Sequence, residues 1–105
     1  MFVEAWKLTI ITERVLEQSI SKFLLDQGCK GYTLFSVGGK GLHHFHAPVE
    51  RGVVPEEFSE IQFEVIVRDR TIIDKIASAL VKDCFPHYAG IVFIEKVEVI
   101  RVERF

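Results

Sequence analysis

The stretch Trp6-Lys7-Leu8-Thr9-Ile10-Ile11-Thr12 alternates mainly apolar and polar side chains, with Trp6, Leu8 and Ile10 on one side. That is the two-residue period of a half-buried strand. The period then changes. Val15, Leu16, Ile20, Phe23 and Leu24 recur at helical spacing on one face, while Arg14, Glu17, Gln18 and Lys22 fall mostly on the other. Gly28 follows Asp26-Gln27, where many helices end on a left-handed residue. The chain therefore opens as strand, then helix.

The same order returns further on. Tyr32 to Val37 reads as a second strand and leads into a long stretch with little regular pattern, Gly38-Gly39-Lys40-Gly41 and onward through His43, His44, His46, Pro48, Arg51 and Pro55. Ile61-Gln62-Phe63-Glu64-Val65-Ile66-Val67-Arg68 resumes strict alternation, with Ile61, Phe63, Val65 and Val67 on one face. Asp69-Arg70-Thr71 offers helix caps, and Thr71 with Asp74 resembles a capping box. A second amphipathic helix buries Ile72, Ile73, Ile76, Ala77, Leu80 and Cys84, and Pro86-His87-Tyr88-Ala89-Gly90 breaks it before a last strand from Ile91 through Val102. The order β-α-β-β-α-β predicts an α+β, ferredoxin-like βαββαβ sandwich, an antiparallel four-stranded sheet with two helices on one face.

Composition narrows the class. At 105 residues the chain is read as one domain, residues 1–105, with a long flexible loop at about 38–59. Hydrophobic residues at 49% and charged residues at 27% are globular proportions. A net charge of −2 gives no basic field for nucleic acid. Cys29 and Cys84 form no metal-ligand spacing and read as reduced core thiols. No apolar run is long enough to span a bilayer and the start lacks a signal-peptide pattern, so a cytoplasmic location is expected. Val97, Val99, Ile100 and Val102 fall on both sides of the last strand, and Ile66 lies opposite the helix-facing set. A second apolar sheet face implies a homo-oligomer that covers it.

The polar oddities gather in the long loop. Loops usually run about 4–6 residues, and much longer ones tend to be functional or disordered. Consecutive glycines in Gly38-Gly39-Lys40-Gly41 let successive backbone N–H groups turn toward one anion, with Lys40 adding positive charge. It is not a Walker A loop, because Gly41 stands where Ser or Thr is needed. His44 and His46, two apart in an extended segment, could converge on one metal ion, although the plainer reading is solvent-exposed histidines. No nucleophile, base and orienting group can be assembled, so an enzyme is not expected.

Lys7-Leu8-Thr9-Ile10-Ile11-Thr12-Glu13, Gly31-Tyr32-Thr33 with Gly38-Gly39-Lys40-Gly41, and Tyr88-Ala89-Gly90-Ile91 together resemble the PII-like signalling proteins, in particular the SbtB type. The resemblance implies a homotrimer whose sheets line the threefold centre, with adenine nucleotide (AMP, cyclic AMP, ADP or ATP) held as effector in the clefts between subunits. It implies a nucleotide site at Gly39, Lys40, Gly41, His43, His46, Ala89 and Gly90. The long loop, called the T-loop, then docks on a membrane bicarbonate transporter. One departure stands out. His43 and His46 occupy positions that are arginine in relatives of this type. Histidine is mostly neutral near pH 7 and lacks the planar fork of arginine, which predicts a weaker hold on polyphosphates that tightens on protonation. Two other readings remain open, a metal-binding trimer using the loop histidines and an interaction module without ligand.

Overall fold

The computed structural model describes residues 2–38 and 59–100. Its elements are β1 (Val3–Glu13), α1 (Glu17–Asp26), β2 (Thr33–Val37), β3 (Glu60–Val67), α2 (Arg70–Ala79) and β4 (Gly90–Val99). The strands form one antiparallel sheet in the order β2-β3-β1-β4, and the expected α+β ferredoxin-like sandwich is the fold. β1 is central, pairing Leu8 with Val65 on one side and with Ile94 on the other.

Even-numbered residues of β1 face the helices. Leu8 and Ile10 pack with Ile61, Phe63 and Val65 of β3, Ile20 and Leu24 of α1, and Ile73, Ile76 and Leu80 from the second helical segment. Gly28 adopts φ 90°, the left-handed conformation the sequence implied, and its backbone turns the chain out of α1. Val15 departs from expectation, since it is 72% exposed. Residues Arg14–Leu16 form a 3₁₀ turn, and at three residues per turn a buried Leu16 swings its neighbour about 120° away from the core.

The second helix also starts differently. Asp69 is the N-cap, its Oδ1 accepting from the Thr71 amide at 2.9 Å and from the Thr71 hydroxyl at 2.6 Å. Asp74 instead pairs with Arg70 Nε at 2.8 Å, so the capping box expected between Thr71 and Asp74 does not form. The Asp69 carboxylate already at the cap takes the Thr71 amide that the Asp74 side chain would have served. These hydrogen bonds hold the Asp69 carboxyl below its ordinary pKa, the side-chain bond to Thr71 contributing most.

After Ala79 the helix widens into a π turn over Leu80–Cys84, where the Phe85 amide donates to the Leu80 carbonyl five residues back at 3.0 Å. The opposite face of the sheet carries a polar band among apolar residues. Lys7 lies 3.6 Å from both Glu64 and Glu95 and Gln62 donates to Glu64, while Phe93 pairs with Thr9 and Ile91 with Ile11 on the same face.

Phe63 is fully buried, and Tyr32 lies tilted against it with ring centroids 5.4 Å apart. Phe63→Ala is expected to cost about 3–5 kcal/mol, measured as a loss of urea resistance at fixed protein concentration. Asp69→Ala is expected to destabilise the fold near neutral pH. A carboxylate with a lowered folded pKa stabilises above its unfolded value and loses that contribution as pH falls through the folded value. The gap between Asp69→Ala and the parent should therefore close below the ordinary aspartate range in pH-dependent melts.

Candidate functional site

Four strand ends meet at one end of the sheet. β1 runs out at Glu13 and β2 at Val37, while β3 and β4 begin at Glu60 and Gly90. The register sets Glu60 opposite both Glu13 and Val37, and Gly90 opposite Thr12. Both ends of the long loop and the short turn before β4 are thereby brought together. Residues 12–14 touch all of them.

Arg14 closes the loop base. Its amide donates to the Ser59 carbonyl at 3.1 Å, extending the β1–β3 ladder by one bond, and its guanidinium donates to the Ser36 hydroxyl at 3.0 Å. Thr12 and Glu13 hold the turn. The Thr12 hydroxyl donates to the Ala89 carbonyl at 2.7 Å, and the Ala89 amide donates to Glu13 Oε2 at 2.8 Å. Where the backbone ladder between β1 and β4 stops, these two side chains replace it. Glu13 is 8% exposed and Glu60 only 4%, so two neighbouring carboxylates are buried at the meeting point.

The turn itself is packed by Phe85. A Cβ added at Gly90 would overlap the Phe85 ring, lying 2.7 Å from its Cζ. Gly90 needs to be glycine because an aromatic ring of the same chain rests on its Cα. The π turn at Leu80–Cys84 delivers that ring, since five residues per hydrogen bond set Phe85 at a different angle from a regular helical turn.

Of the residues the sequence pointed to, Ala89 and Gly90 sit here, one clasped through its backbone and the other covered by Phe85. Gly39, Lys40, Gly41, His43, His44 and His46 lie outside the described residues. Thr12, Glu13 and Phe85 carry the geometry without having been singled out for it. The contacts of Thr12 and Glu13 with Ala89 span 77 and 76 residues, and no local pattern announces such a pair. Among the described residues no group of His, Cys, Asp or Glu is placed to hold a metal ion. Burial raises the pKa of both thiols, Cys84 being raised further by the Asp83 charge, so neither is a ready nucleophile. No described helix is long and apolar enough to cross a membrane.

The family model for nitrogen regulatory protein P-II matches residues 5–104. The chain belongs to the P-II family. Its backbone resembles a putative PII-like signalling protein from Thermus thermophilus, with a TM-score of 0.74, 29% identity, and 94% of this chain and 91% of that one covered. It also resembles the nitrogen regulatory PII-like protein CPII from Thiomonas intermedia K12, solved with ADP, AMP and bicarbonate, at 0.76 and 23% identity over the whole of both chains. The GlnK–ATP complex of B. subtilis is more distant, at 0.61 and 17% identity over 90% of this chain and 82% of that one. As a P-II protein the chain is a PII-like regulatory protein, from a family of signalling proteins rather than catalysts.

Gly90→Ala tests the ring contact. In open strand geometry the change stabilises by limiting the unfolded chain, but here the ring must leave its seat at a cost of about 1–3 kcal/mol. Phe85→Leu in the same chain should recover most of that loss, as read from urea midpoints.

Proposed function

We propose that this P-II protein is a regulator of the SbtB type, a single domain that binds an adenine nucleotide at the clefts between subunits of a homotrimer. The observation that carries this reading is the convergence of the two ends of the long loop and the 86–90 turn on residues 12–14, in a chain matching the family over residues 5–104. A ligand seated at that end can touch both segments at once. The ligands recorded for CPII, ADP, AMP and bicarbonate, support both a nucleotide effector and a connection to inorganic carbon.

Lys40 contacts phosphate, while His43 and His46 stand in for the arginine clamp and Gly39, Gly41, Ala89 and Gly90 line the approach. The open sheet face, with Ile91 52% and Phe93 42% exposed, packs against neighbouring copies around the threefold axis. Regulation follows from population shift. The nucleotide favours one arrangement of the T-loop, residues 38–59, and a membrane bicarbonate transporter distinguishes that arrangement from the other. The protein is cytoplasmic and becomes peripheral to the membrane when its partner is engaged.

Calorimetry of AMP, cyclic AMP, ADP and ATP with metal-free protein at pH 6 and pH 8 tests the reading. Nucleotide should bind without turnover and more tightly at pH 6, where protonated His43 and His46 add positive charge. Lys40→Ala should weaken binding at least about tenfold, the loss of one charge-assisted hydrogen bond. Absence of heat with all four nucleotides at both pH values would overturn the proposal.

A further inference from the structure

We infer that the Glu13 carboxylate is a built-in anion that occupies the ligand-binding amide of the 86–90 turn, and that a phosphate group arriving there must displace it. This rests on the proposed nucleotide site and adds how that site is held closed without ligand.

The backbone donors that precede Ala89 are committed. The Phe85 amide is bonded to the Leu80 carbonyl, and the amides of His87 and Tyr88 both donate to the Cys84 carbonyl at 3.0 Å. Pro86 has no N–H. These bonds define the π turn and its exit, so an anion cannot take them without unfolding the turn. The Ala89 amide differs. Its acceptor is a side chain, Glu13 Oε2 at 2.8 Å, reached from the far end of the sequence. This donor can be exchanged while the turn keeps its shape, because the Thr12 hydroxyl still holds the Ala89 carbonyl.

A single N–H proton serves one strong acceptor, and two anions on it repel. Phosphate oxygen and carboxylate oxygen are chemically alike as acceptors for a backbone amide. Ligand entry is thus an exchange of one anion for another rather than addition to an empty site. The exchange also has a direction. Glu13 is flanked by Glu60 across the ladder and by Arg14, which holds Ser36 and Ser59 at the two ends of the loop. A carboxylate released from Ala89 changes the charge balance beside both loop ends.

The test compares the full chain with Glu13→Gln and Glu13→Ala, using calorimetry with ADP and the ¹⁵N–¹H shift of Ala89. Glutamine keeps the size and an acceptor oxygen but is a weaker, neutral competitor. ADP should bind Glu13→Gln about five- to tenfold more tightly than the parent, the difference between a charged and a neutral acceptor. The Ala89 shift should move on titration. If Glu13 only positions the turn, Glu13→Gln binds like the parent and Glu13→Ala binds more weakly, and the inference is wrong while the nucleotide reading stands. An unmoved Ala89 shift during ADP binding overturns it equally. Inorganic pyrophosphate separates the remaining cases. If ADP fails everywhere yet pyrophosphate shifts Ala89 more strongly in Glu13→Gln than in the parent, the exchange holds and the nucleotide reading falls. If pyrophosphate also leaves Ala89 unmoved in every variant, both fall.

Discussion

β1 is hydrogen-bonded on both sides, to β3 from Trp6 to Glu13 and to β4 from Val3 to Thr12, and the place where it stops decides where the other strands can begin or end. An antiparallel ladder fixes residue against residue, so ending β1 at Glu13 places Glu60 and Gly90 beside it without further choice. A one-residue slip would turn Leu8 and Ile10 out of the core and bring Lys7 and Thr9 in. The core therefore protects the register, and the register assembles the loop ends. Stability and the candidate site are joined through one strand.

The fold was legible because its signals are local. Alternation in Trp6–Thr12 and Ile61–Val67, helical spacing in Ile73, Ile76 and Leu80, and Gly28 at a helix end each report on neighbours within a few residues. Small errors arose where two local rules compete. Val15 satisfies a helical stripe but falls in a 3₁₀ turn, and Thr71 could cap a helix but Asp69 precedes it with a better acceptor. The open sheet face mixes both kinds of residue, with Ile91 and Phe93 exposed beside Lys7, Thr9, Glu64 and Glu95, and the Thr9 hydroxyl is buried without a hydrogen-bond partner among the described residues.

The site was only half legible. Tyr88-Ala89-Gly90 could be picked out as a turn, but the clasp on Ala89 depends on Thr12 and Glu13, which read only as the end of a strand. Gly90 showed a second gap. A glycine before a strand suggests a tight turn or a ligand's approach, whereas the ring on its Cα belongs to Phe85. Nothing in the sequence near Gly90 says which way Phe85 points, since that depends on helical turns counted from Leu80.

The π turn gives those few residues an unusual kind of importance. Val81, Lys82 and Asp83 are exposed, and their side chains can vary with little effect on packing. Their number cannot. Each residue of a regular helix advances the chain by about 100°, so removing one residue between Leu80 and Phe85 would restore ordinary helical bonding while carrying the aromatic ring away from Gly90. The surface of this segment is free to drift in composition, but its length acts as a fixed spacer that aims one ring at one glycine.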